Sequence, residues 1–153
     1  MNEPRVLVSA CLLGCRCRYD GNANLDSRIA SEAAARGWIP VCPEILGGLT
    51  TPRAPAERKD GEIVTNAGQT VTDAFLRGAT EAARLAKLYG AEYALLKERS
   101  PSCGSGIIYD GAFSGVRVPG DGMTAQKLKQ MGIQVFGETQ LDSLLAILEE
   151  RAI

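Results

Sequence analysis

The order of apolar and polar segments predicts an α/β protein: a small parallel-type sheet flanked by helices, Rossmann-like, with cysteine-bearing loops at the C-terminal strand ends. Three observations carry this. Short apolar runs alternate with segments of helical period. Glycines fall where the helices should stop. The 153 residues, 45% hydrophobic and 23% charged, suffice for one core and fit a single domain over 1–153.

Arg5–Ala10 is a short apolar run entering a Cys/Gly-rich loop, and reads as a buried first strand. From Asp26 to Arg36, Ile29 and Ala33 keep a helical pattern, closed by Gly37 at a C′ position. Trp38–Cys42 reads as a second strand, although Pro40 removes a ladder donor. Residues 43–70 are rich in Gly and Pro, and so long an irregular segment in a small domain is usually functional. Thr72 and Asp73 can cap a helix to about Leu88, with Phe75, Leu76, Ala79, Ala83 and Ala86 on one face and Gly90 at its end. Glu92–Lys97 is the third strand, followed by a Gly/Ser-rich loop from Ser100 to Gly122. A helix over Thr124–Met131, a strand over Ile133–Phe136 and a last helix from about Gln140 to Arg151 complete the chain.

Composition excludes several chemistries. There is no histidine, so a Ser-His-Asp triad, a Cys-His dyad, His-ligated zinc and an imidazole base are all ruled out. Lys and Arg number 17 against 18 Asp and Glu, a net charge of −1 that argues against a strongly electrostatic nucleic-acid binder. No apolar run approaches the roughly 18 residues of a membrane span. The start, MNEPRVLVSAC, lacks the pattern of a signal peptide. A cytoplasmic location is therefore expected, and there thiols stay reduced. Five cysteines, an odd count, also fit poorly with a disulfide framework.

Cys11, Cys42 and Cys103 each fall at or just beyond the end of an expected strand. In an open parallel sheet those ends share one edge, where ligands bind. Each could simply be a small buried hydrophobe. Three at equivalent points of the topology suggest a shared site. Without histidine, three thiolates suit a cubane iron–sulfur cluster with one iron free of protein ligands. Cys15 and Cys17 leave alternatives open: a local site with Cys11, or a fourth ligand that closes a structural cluster. Glu44, two residues past Cys42, is a candidate general acid or base, and otherwise a solvated loop residue or cap. Ser100 and Ser102 precede Cys103 on its loop. Asp20 and Arg53 lie in the other loops and are candidates to orient a substrate, against the plainer reading of surface groups.

The stretches Ser9–Gly21 (SACLLGxxCRYDG), Val41–Arg53 (VCPEIxGGLxxPR), Val71–Ala79 (VTxxFxxGA), Leu95–Gly115 (LLKxRSPSCGSGxIYDGxFSG) and Gly122–Phe136 (GxTAxxLxxxGIxVF) span nearly the whole chain in order. Together they resemble the thiouracil desulfidase (TudS-like) family. The resemblance implies a [4Fe-4S] cluster held by Cys11, Cys42 and Cys103, and non-redox desulfuration of thiolated pyrimidines. On that reading 2- or 4-thiouracil gives uracil and hydrosulfide, with the substrate sulfur on the iron that has no protein ligand. Glu44 would be the acid/base and Ser100 a hydrogen-bond partner of substrate or water. Ser102, Asp20 and Arg53, from their loop positions, are expected to bind the substrate. Cys17 stays outside the implied ligand set, and Cys15 falls at a variable position. The expected partner is a small thiolated pyrimidine, with no membrane. Desulfuration of 4-thiouridine in tRNA and a structural metal-binding module stand as alternatives.

Overall fold

Val6 and Val8 face one side of the first strand and Leu7 the other, and all three are fully buried. A strand buried on both faces belongs at the centre of a layered sheet. The computed structural model describes residues 3–152. Strands β1 (Arg5–Ser9), β2 (Ile39–Val41), β5 (Ala91–Leu96) and β8 (Gln134–Gly137) form one parallel sheet in the order β2-β1-β5-β8. Leu7 pairs with Ile39 on one side and Ala94 on the other. Tyr93 pairs with Gln134 and Leu96 with Gly137. Pro40 is accommodated because β2 is an edge strand.

Helices cover both faces. On one, α1 (Ser27–Arg36) and α5 (Leu141–Arg151) bring Ile29, Ala33, Leu144 and Leu148 against Val6, Val8, Leu95 and Phe136. On the other, α3 (Thr72–Tyr89) and α4 (Met123–Gln130) bring Ala86, Ala125 and Leu128 against Leu7, Val41, Ala94 and Leu96. Asp26 caps α1 by accepting from the Arg28 and Ile29 amides, and Gly37 ends it in the left-handed conformation. The cap expected from Thr72 and Asp73 is displaced by one position, since Val71 is the N-cap. Thr72 turns its hydroxyl to the Ile63 amide and Glu62 instead. Among the described residues, no helix is long and apolar enough to cross a membrane.

The two long loops, irregular by sequence pattern, contain short helix and hairpin structure. In the first, α2 (Pro43–Leu46) follows Cys42 directly, and β3 (Ala56–Lys59) pairs with β4 (Glu62–Thr65). In the second, β6 (Ile107–Tyr109) pairs with β7 (Arg117–Pro119). The hairpins are clasped together. One Glu57 carboxylate oxygen accepts from the amides of Gly111 (3.0 Å) and Phe113 (3.1 Å), and Arg58 donates to the Asp121 carbonyl. Helix α2 crosses α3 at glycines. A Cβ on Gly47 would stand 2.0 Å from the Ala74 carbonyl oxygen, and one on Gly78 would stand 1.9 Å from that of Pro43.

Candidate active site

After β1 the chain turns to one side of the sheet to build β2, and after β5 it turns to the other to build β8. The C-terminal ends of the adjacent strands β1 and β5 therefore open a crevice at a topological switch point. A cavity of about 390 Å³ occupies that crevice, and the β3–β4 and β6–β7 hairpins contribute Ala56, Glu57 and Tyr109 to its wall.

Cys11, Cys42 and Cys103 all line this cavity, and Cys17 lines it with them. Cys11 lies in the single 3-10 turn after β1, and Cys42 ends the chain's exit from β2. Cys103 comes back to the sheet edge through the loop after β5 and packs with Leu7 and Leu96. Burial pushes the Cys11 and Cys103 thiols up, and each also feels the charge of the other cavity cysteines. Cys42 is held below the usual thiol range by its neighbour Cys17, against the opposing effect of burial, and its Sγ donates to the Cys17 carbonyl at 3.9 Å. Cys17 correspondingly holds its proton well above the usual thiol range. All five cysteines are free thiols; Cys15 is exposed and outside the cavity.

These residues fit an iron–sulfur cluster. Four soft sulfur donors, the three strand-end cysteines and Cys17, stand around one partly buried cavity rather than converging on a point, and their mutual repulsion as thiolates is relieved by a cationic metal group. Hydrogen bonds already reach a sulfur: Asn24 Nδ2 donates to Cys11 Sγ at 3.5 Å.

Glu44 follows on α2 and also lines the cavity. Burial raises its carboxyl, opposed by Arg53, whose Nε donates to Oε1 at 3.0 Å. Arg53 is largely buried, and its other nitrogens donate to the carbonyls of Cys17 (2.8 Å) and Thr50 (3.1 Å) and to the Thr51 hydroxyl (3.2 Å). Ser100 lines the cavity as well. Its oxygen accepts from the amides of Ser102 (3.0 Å) and Cys103 (2.9 Å), which leaves its own proton to donate.

Two of the expected site residues are not brought to the cavity. Ser102 is buried behind it, with its hydroxyl 2.8 Å from that of Thr124. Asp20 is on the surface, where it pairs with Arg18 at 3.2 Å and accepts from the Asn22 amide. The cavity also holds residues that the sequence reading did not single out, among them Asn24, Lys97 and Tyr109. Lys97 was within reach of the strand-end argument: it directly follows β5, and its ammonium lies 2.9 Å from Glu138.

The model of the family described as 2-thiouracil desulfurase matches residues 6–140. The YbbK protein of Bacillus subtilis (strain 168), itself uncharacterised, is 42% identical over 150 residues, covering 92% of this chain and 99% of that one. A solved structure of the [4Fe-4S]-dependent thiouracil desulfidase TudS is 48% identical, with a TM-score of 0.91 over 96% of this chain and 99% of that one. With a matching span that takes in Cys11, Cys42, Glu44, Ser100 and Cys103, the chain belongs to the 2-thiouracil desulfurase family.

Proposed function

We propose that this protein hydrolyses the carbon–sulfur bond of a thiolated pyrimidine such as 2- or 4-thiouracil, giving uracil and hydrosulfide, with a [4Fe-4S] cluster held by Cys11, Cys42 and Cys103. The observation that carries the reading is the single cavity shared by these three thiols, Glu44 and Ser100. When bound, such a cluster supplies an iron free of protein ligands, a soft Lewis acid for a thiocarbonyl sulfur.

The protein's own groups handle the water and the protons. Arg53 fixes Glu44 Oε1, so that Oε2 is free to take a proton from water attacking the thiocarbonyl carbon. Burial keeps the Glu44 carboxyl able to hold that proton and return it to the departing sulfur. No electron is transferred: water adds across C=S, and hydrosulfide leaves as C=O forms. Ser100 donates its hydroxyl proton to the pyrimidine or to the water, an orientation set by the two amides that occupy its oxygen. Arg53, with every nitrogen engaged by protein acceptors, acts on Glu44 rather than on substrate. Ser102 and Asp20 support the loops around the cavity.

The test is hydrosulfide release from 2-thiouracil after anaerobic reconstitution. The wild-type protein should turn over, and Glu44→Gln should keep its iron and sulfide content while losing at least a hundredfold in kcat, in line with the roughly 10²–10⁴ carried by a general acid/base. Full activity in Glu44→Gln would remove Glu44 from the chemistry. A loaded wild-type protein that releases no hydrosulfide from any thiolated pyrimidine would overturn the reading.

A further inference from the structure

An amide side chain beside a sulfur can present either its oxygen or its nitrogen, and at Asn24 the choice is enforced by a neighbour. The Arg18 guanidinium donates to Asn24 Oδ1 at 2.8 Å, which leaves Nδ2 as the end that faces Cys11 Sγ at 3.5 Å. Arg18 is itself held by Asp20 at 3.2 Å and by the Tyr19 ring, 5.6 Å from guanidinium carbon to ring centre. The Asn24 backbone amide donates to the Cys11 carbonyl at 3.0 Å, so the residue stays beside this cysteine whatever its side chain. Asp20, Arg18, Asn24 and Cys11 thus form one chain of polar contacts from the surface to the cavity.

We infer that Asn24 is a positioning residue for the cluster, whose amide, aimed by Arg18, donates to the Cys11 thiolate and limits the electron density this sulfur passes to iron. The inference rests on the reading above that Cys11 is a cluster ligand. Hydrogen bonds to ligand sulfurs are among the main determinants of cluster potential. A thiolate that donates less leaves the iron a stronger Lewis acid, which is what binding and polarising a thiocarbonyl sulfur requires.

Two variants separate this role from simple support of the loop. Asn24→Asp keeps an oxygen for Arg18 but replaces the donor at sulfur by an acceptor. Asn24→Leu removes both. After anaerobic reconstitution, iron and sulfide per chain are counted, and the midpoint potential is followed by electron paramagnetic resonance during reductive titration. The expected result is wild-type cluster content in both variants with a potential shifted negative, further in Asn24→Asp than in Asn24→Leu, and a several-fold lower kcat with little change in KM. Arg18→Met, remote from the sulfur, should shift the potential in the same direction by less, and it carries the test if the Asn24 variants fail to load. Loaded variants with an unchanged potential overturn the inference and leave the cluster reading standing. A wild-type protein that takes up no iron and sulfide, or a Cys11→Ser variant with a full cluster, overturns the ligand reading and this inference with it.

Discussion

Arg53 Nε lies 3.0 Å from Glu44 Oε1, and the same guanidinium holds the Cys17 carbonyl at 2.8 Å. One side chain thereby joins the loop after β1 to the loop after β2 and sets the geometry of the carboxylate between them. Arg53→Ala should cost roughly 3–5 kcal/mol of stability, because it leaves a largely buried carboxylate without its partner. It should also lower kcat more than it raises KM. Thermal unfolding and steady-state hydrosulfide release measure the two effects; a variant with wild-type stability would mean that the pair contributes little.

Four of the five cysteines line the cavity, Cys17 among them, and Cys15 does not. Replacement of Cys11, Cys42 or Cys103 by Ser should abolish or strongly reduce cluster assembly, whereas Cys15→Ser should retain about four irons per chain. Cys15 is exposed and outside the cavity. Iron and sulfide counts on the four reconstituted proteins decide this, and a loss in Cys15→Ser equal to that in Cys103→Ser would redraw the ligand set.

Gly78→Ala tests the crossing of α2 and α3. The added methyl would meet the Pro43 carbonyl oxygen at 1.9 Å, so α2 must move, taking Cys42 and Glu44 with it. A loss of about 1–3 kcal/mol is expected, a fall of roughly 2–12 °C in Tm. Cluster content should fall in parallel. Gly37→Ala is a comparison for cluster content alone: its Cβ meets nothing within 4 Å and the position lies away from the cavity, but its φ of 68° makes the methyl cost roughly 1–2 kcal/mol of stability by backbone strain.

Asp121 gives a prediction in pH. Its Oδ1 accepts from Lys129 Nζ and from the Gly106 amide, both at 2.8 Å, and so ties the second long loop to the last turn of α4. Partial burial works against the charge, but Lys129, Gly106 and Arg58 outweigh it and hold the carboxyl below its usual range. A folded-state pKa that is lowered contributes stability above the unfolded value and loses it as pH falls through the folded one. Asp121→Asn should therefore be less stable than wild type at neutral pH, by about 1 kcal/mol or less because solvent screens the pair. The difference should vanish on acidification below the carboxylate range. Urea titrations at several pH values provide the measurement.

The layered core was legible because its pattern is strong. Runs such as Val6-Leu7-Val8 and Tyr93–Leu96 have no polar interruption, and Gly37 and Gly90 mark helix ends that the structure places in the left-handed region. The hairpins were not, since their strands have three or four residues and little apolar alternation. One signal was present: Asp60-Gly61, both with positive φ, is the pairing that a tight two-residue hairpin turn favours. In the site, the strand-end positions of Cys11, Cys42 and Cys103 suggested a shared edge, while the presence of Cys17 in the same cavity had no such signal. Nor had the separate fates of Ser100 and Ser102. The Ser100 oxygen gathers the amides of Ser102 and Cys103, and this turn sends the Ser102 side chain away from the cavity to Thr124. Asn24 escaped notice because its part depends on a contact thirteen residues back along the chain, which no local pattern announces.

Cys103 belongs at once to the cavity wall and to the apolar layer that contains Leu7, Leu96 and Leu128. Whatever binds that sulfur is tied to the interior of the molecule, with no flexible tether between. Folding and cofactor uptake are then linked equilibria: the loaded protein resists denaturation in proportion to its affinity for the cofactor, and unfolding is a route by which the cofactor escapes. Air, which attacks iron and sulfide, would on this account act as a denaturant.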